Sequence, residues 1–378
     1  MSRAAVAGLC GRSEEWLRQI ERGRRGTGLK MVARLAEVLK VKDLTDLLGD
    51  GAPTAIYARP EHAALGKVRQ ALTSYAVAGD NPPDVDALDH RVRQAWRQRS
   101  MSNRDRTDLA AVLPDLIVDA QRTARASATP SRRRDAYRLM AEAYHLGQLY
   151  LCYQNAPELL WVIVDRGMNA AVESEDPATL ARATWFSAYL FRDFGLVDHA
   201  HQVVEDALRQ LDAERDPSPT LLRQRAVVHL ASAWNHARDG RPAQAWRAWD
   251  AAVAAEREGP APSPHALFGA TASDVALTLD VELGKSASAL RRAEATDVGS
   301  VTSVPRRARL MIEAARGHML KREYVGTVHL LRRAHETSPE ATLFSMYARG
   351  MVVDLLDHAG PMLQAEVADL ADRLGVAA

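Results

Sequence analysis

Cysteine is almost absent: Cys10 and Cys152 are the only two in 378 residues. Two thiols exclude a disulfide framework and a cysteine-based zinc site, and they point to a reducing compartment. Long apolar runs are missing as well. No stretch approaches the roughly 18 uncharged apolar residues of a membrane span; the most apolar segment, Leu159 to Val164, has six. No apolar signal core follows Met1. The expectation is a cytoplasmic protein without a membrane partner. Net charge is nearly nil, with 49 Lys and Arg against 48 Asp and Glu. That balance excludes a uniformly basic coat but permits one local basic module. Aromatics are only 6%, and alternating strand-like polarity is hard to find.

What is present points to helices. Apolar residues make up 47% and charged residues 26% of the chain, enough to bury a large core. The length suits two to three domains of roughly 150 residues each. Leu146, Leu149, Tyr150 and Tyr153 follow the i, i+3, i+4, i+7 rule, and Val203, Val204, Ala207, Leu208 and Leu211 keep a helical stripe. The fold class is all-α.

Signatures of catalysis are also missing. Twelve histidines show no His-Glu-x-x-His pattern. His199 and His201 stand two apart and point to different helix faces. There is neither a phosphate-binding glycine loop nor a Gly-x-Ser-x-Gly elbow, and Cys152 reads as a small buried hydrophobe. No enzymatic activity, cofactor or metal is expected.

Punctuation divides the chain. Residues 1–49 form one compact unit. Gly51-Ala52-Pro53 and Pro60 mark a linker over residues 50–61, and helical patterns then run from His62 to the C-terminus. Within this region a motif recurs: Gly195-Leu-Val-Asp-His-Ala200, Gly240-Arg-Pro-Ala-Gln-Ala245 and Gly284-Lys-Ser-Ala-Ser-Ala289. The glycines lie 45 and 44 residues apart, with weaker copies expected to open at Asn155 and Arg322. A period of about 40 residues is the mark of a helical solenoid. Glycine ends the first helix of each pair in a left-handed cap, and the alanine five residues on lets the antiparallel helices approach. An irregular helical bundle is the alternative.

At the N-terminus, Ser2 is placed to cap a first helix and Gly11 to make a turn. Ser13 is placed to cap a second helix whose apolar side is Trp16, Leu17 and Ile20. Gly23 ends that helix. Further helices are expected from Leu29 to Leu39 and from Leu44 to Leu48. Residues 1–50 carry ten Lys and Arg against seven Asp and Glu, so this unit is +3 in a chain of +1.

Ser2-x-x-x-Val-Ala, Gly11-x-Ser13 and Trp16-Leu17-x-x-Ile20-Glu21-x-Gly23-Arg24-Arg25, followed by the helix to Val41, resemble the Xre/Cro-type helix-turn-helix. The whole chain is similar to actinobacterial Xre-type regulators that join this domain to a tetratricopeptide-like region; Glu282-Leu283-Gly284, Arg306-Arg307-Ala308-Arg309 and the closing Leu370-to-Gly375 segment carry that wider likeness. The resemblance implies a second helix that enters the major groove of duplex DNA. Glu14, Glu15 and Gln19 would then face base edges. Ser13 would stand at the mouth of the helix, with Trp16 against a thymine methyl. Arg3, Arg12, Arg24, Arg25 and Lys30 would meet phosphates. Each has a plainer reading: Trp16 as core, Glu14 and Glu15 as acids favoured by a helix N-terminus, Arg24-Arg25 as a solvated loop.

The family's domain has a further helix before the position of Ser2. Either the true start lies upstream of Met1, the reading preferred here, or the domain is truncated with an open core. The repeats are expected to mediate homodimerisation and to take a peptide, small molecule or protein in their groove, with Arg192, Asn235 and Arg238 as ligand contacts. The alternative function is a repeat-based adaptor that has lost DNA binding.

Overall fold

The computed structural model describes residues 2–22, 29–39, 41, 60–74, 83–214, 218–258 and 271–376, with the backbone alone at 29, 30, 32 and 33. Among the described residues every regular element is a helix. The amino-terminal domain contributes α1 (Arg3–Leu9), α2 (Glu14–Glu21) and α3 (Leu29–Leu39). The helix expected at Leu44–Leu48, Gly23 and all of the 50–61 linker except Pro60 and Glu61 lie outside the described residues.

The second region begins with α4 (Leu65–Thr73), α5 (Val85–Met101) and α6 (Asp105–Ala126). A run of antiparallel pairs follows: α7 (Pro130–Leu151) with α8 (Pro157–Glu173), α9 (Pro177–Asp193) with α10 (Val197–Ala213), and α11 (Pro219–Arg238) with α12 (Pro242–Glu258). Then come α13 (Ala272–Glu282) with α14 (Ser286–Ala295) and α15 (Val304–Leu320) with α16 (Tyr324–Thr337); α17 (Pro339–Leu343), α18 (Met346–His358) and α19 (Gln364–Arg373) complete the chain. The first helices of the pairs, α7, α9, α11, α13 and α15, stack on one another in sequence. This is a helical repeat-like array, because each pair's apolar stripe is covered only by the next.

Local chemistry fixes the pairs. Proline opens α7, α8, α9 and α11, where a missing N–H costs nothing, and the side chains of Thr129, Asp176 and Ser218 cap α7, α9 and α11. Gly195, Gly240 and Gly284 take φ of +70°, +72° and +72° at the turns. The residue after each glycine donates back to a carbonyl of the last turn, as Arg241 does to His236 (2.9 Å) and Lys285 to Asp280 (2.7 Å). Ala200, Ala245 and Ala289 are buried against the partner helix. In the carboxy-terminal copy Arg322 holds the left-handed position (φ +60°); in the amino-terminal one it is Tyr153 (φ +65°), two residues before the expected Asn155.

The array closes on itself. The Glu340 carboxylate of α17 accepts from the backbone N–H groups of Arg106 (2.7 Å) and Thr107 (3.0 Å) in the first turn of α6, and Ser338 Oγ donates to the Asn103 carbonyl (3.3 Å). α5 meets α15 nearby. The first helices of the pairs, with α5 and the segment that follows α14, line a cavity of about 1020 Å³.

Candidate nucleic-acid interface

Among its described residues the amino-terminal domain has three helices. Val6, Ala7, Cys10, Trp16, Leu17 and Leu35 form its core, with Ile20, Met31 and Val38 packed at the edge. Ser2 caps α1, accepting from Ala5 N–H (3.2 Å), and Ser13 caps α2, accepting from Trp16 N–H (3.1 Å). Gly11, at φ +68°, makes the turn between them. Burial pushes the Cys10 thiol above its ordinary value, against the pull of Arg34 and Arg12, which suits a core side chain.

The helix that the sequence assigns to the DNA groove lies against the repeat array. Arg12 Nη2 meets Asp239 Oδ1 at 2.6 Å, beside the cap of α11. The Asp239 carboxylate is fully buried and also faces Arg241 (2.7 Å) and His201 (3.8 Å). Burial raises its pKa, but His201, Arg12 and Arg241 overcome that and hold the carboxyl below its usual range. Trp16 packs over Gly240, where a Cβ would come within 3.2 Å of the Trp16 Cβ. The Gln19 amide donates to the Glu282 carbonyl (3.2 Å) and accepts from Gly284 N–H (3.0 Å). A Cβ on Gly284 would overlap that amide and approach Glu15. Two repeat turns thus seat one helix, and their glycines serve both the left-handed bend and the close approach.

The expected DNA-facing residues divide accordingly. Trp16 and Gln19 are buried, at 4% and 5% exposure. Arg12 is tied to Asp239. Arg3 is exposed and pairs with Glu21 (2.6 Å). Glu14 is exposed and Glu15 half-buried, both paired with Arg18 (3.3 and 2.5 Å). Lys30 lies on α3 with its side chain outside the described residues, as Arg24 and Arg25 lie outside them altogether. Seated in this way, α2 turns Trp16 and Gln19, two of the residues expected to face DNA, toward the array. Asp239, Gly240, Glu282 and Gly284 complete the interface. Only the two repeat glycines hint at it in the sequence.

The three expected ligand contacts are engaged with one another and with neighbouring helices. Arg192 Nη1 donates to Asn235 Oδ1 (2.6 Å), whose Nδ2 donates to the Ala200 carbonyl (2.6 Å). Arg238 donates to the Tyr347 hydroxyl (2.8 Å) and pairs with Glu282 (3.5 Å). None of the three lines the cavity, because their heads point between helices and satisfy buried groups.

No helix among the described residues is long and apolar enough to cross a membrane. No curated protein and no solved structure matches the chain. Residues 1–48 match the family described as a helix-turn-helix domain, so the unit that carries α1, α2 and α3 is a helix-turn-helix domain of the kind found in DNA-binding regulators.

Proposed function

We propose that the chain is an Xre-type transcriptional regulator that reads DNA as a homodimer, with a tetratricopeptide-like array that senses a ligand and controls the reader. One observation carries this reading: α2, the groove helix of a matched helix-turn-helix domain, is seated on the turns after α11 and α13. A reader stored on a potential sensor gives that sensor direct control of DNA affinity. Re-exposing Trp16 costs about 1.5–3 kcal/mol, and each hydrogen bond lost by Gln19 about 1 kcal/mol. Together these lower the open population by about a few hundredfold to several thousandfold.

The test is selection from a random-sequence duplex pool at low and physiological salt. The expected outcome is an enriched inverted repeat with half-sites about one helical turn apart, bound with a steep salt dependence. Asp239→Asn, which loosens the seat of Arg12 without touching the reading face, is expected to tighten binding to that site about tenfold or more. The adaptor reading takes the same burial of Trp16 and Gln19 as permanent. It replaces the first reading if neither the wild type nor Asp239→Asn prefers any duplex.

A further inference from the structure

The cavity inside the closed array is built from two kinds of side chain. Its aromatic part holds Trp185 and Trp234 with ring centres 6.0 Å apart and Tyr153 edge-on to Tyr189 at 6.2 Å. Its polar part holds arginines, most of which have partners. Arg306 pairs with Asp274 and Arg292 with Asp280 (2.6 Å), while Arg99 and Arg106 share Asp105 (3.7 and 3.9 Å). Glu313, which also lines the cavity, is held by Arg316 (2.7 Å).

Arg309 differs from these. Among the described residues its guanidinium makes no hydrogen bond and no ion pair of ordinary length, and it lies over the Trp234 ring at 4.8 Å from the centroid. The indole N–H of Trp234, a residue only 4% exposed, has no partner either. The Trp234 donor, left unsatisfied beside an aromatic wall, costs free energy unless something else completes it, and the half-buried Arg309 guanidinium stands next to it. Tyr153, at φ +65°, reaches the same cavity from a backbone conformation that disfavours a bulky residue, and such strain gathers at binding sites. The volume lies at the upper end of pockets that enclose small molecules.

We propose that this cavity binds a small aromatic carboxylic acid, the ring against Trp234 and Trp185 and the carboxylate on Arg309. A cationic ligand would face the Arg309 guanidinium beside the Trp234 ring.

The site is wired to the reader, and this part rests on the function proposed above. Trp234 stands five residues before Asp239 on α11, and Thr278, another lining residue, four before Glu282 on α13. Tyr347 lines the cavity and accepts from Arg238, which pairs with Glu282; Arg316 joins the same carboxylate (2.9 Å). The Glu282 carbonyl in turn holds Gln19. A ligand that re-seats Trp234 or Tyr347 therefore acts on both turns that store α2.

The experiment titrates the full chain with 1-naphthoate by calorimetry, with 1-naphthylmethylammonium as the opposite-charge comparator. One naphthoate per chain and no binding of the cation are expected. Arg309→Met should weaken naphthoate about tenfold or more, while Arg309→Lys retains most of the affinity. Equal binding of the two probes, absence of naphthoate binding, or an unchanged affinity in Arg309→Met overturns the site, and the first two need no variant to fold. DNA affinity is then measured with the probe bound. A change supports the coupling; no change, with binding intact, overturns the coupling alone. Loss of DNA binding in every state leaves the calorimetric result standing and removes the regulator reading instead.

Discussion

His145 shows what burial does to one titratable side chain. It sits within the array at 2% exposure, stacked on Phe186 with ring centres 4.4 Å apart, and neither ring nitrogen has a partner. Burial drives its pKa from 6.5 down to about 3. The unfolded chain takes up a proton near pH 6.5 that the native state refuses, so stability is full above that pH and falls as the pH drops toward 3. His236, lowered to about 4 by burial and by His201, adds to the same window. The fully buried His145 contributes up to about 1.4 kcal/mol of lost stability per pH unit within it, and the half-exposed, solvent-screened His236 less. Thermal unfolding from about pH 7.5 down to about pH 5.5 is expected to show a falling midpoint, and His145→Leu a shallower fall. An identical slope in the variant would mean that the buried ring takes up its proton without penalty. The same scale decides between two readings of Trp16: it belongs to the core of the amino-terminal unit and also packs over Gly240 of the array.

At the scale of elements, the turns carry most of the information. The glycines at 195, 240 and 284 were legible because only glycine takes a positive φ without a penalty, and the spacing repeats. In the amino-terminal copy the left-handed residue stands two positions before the one the sequence suggests. Asn155 is the conventional left-handed residue, and nothing local reveals that Tyr153 is forced into that conformation instead. The seat of α2 was not legible at all. It joins Gln19 to Glu282 and Gly284 across most of the chain, and no periodicity encodes a contact of that separation. Gly284→Ala probes both roles of the turn. The left-handed bend is expected to cost about 1–2 kcal/mol, and the added Cβ displaces the Gln19 amide. Limited trypsin digestion should then cut at Arg12 and Arg18 several-fold faster than in the wild type, followed by intact mass. Wild-type cleavage rates, in a variant destabilised as expected, would show that the bonds of Gln19 do not hold the helix in place.

At the scale of the molecule, helix spacing predicted a stack of pairs but gave no sign that the stack would close. Closure rests on residues more than two hundred positions apart, chiefly Glu340 against the first turn of α6. That carboxylate does the work of a helix cap from a remote element: it accepts the N–H groups of Arg106 and Thr107 and the Thr107 hydroxyl, at the end of a helix where negative charge is favoured. His62 reinforces the joint, with its ring nitrogens at 3.1 Å from Thr107 Oγ1 and 3.0 Å from the Tyr150 hydroxyl. Glu340→Ala strands two N–H donors, one on the buried Arg106, at a cost of about 1–3 kcal/mol. By contrast, Glu366→Ala removes an exposed, solvent-screened pair with Arg332 (2.8 Å) that contributes little to stability. If closure shapes the cavity, Glu340→Ala should enlarge the radius of gyration in solution scattering and weaken naphthoate, whereas Glu366→Ala should change neither. A Glu340→Ala protein that is less stable yet equally compact, with naphthoate affinity intact, would assign the carboxylate to capping alone and leave the ring to be held by the packing of α5 on α15.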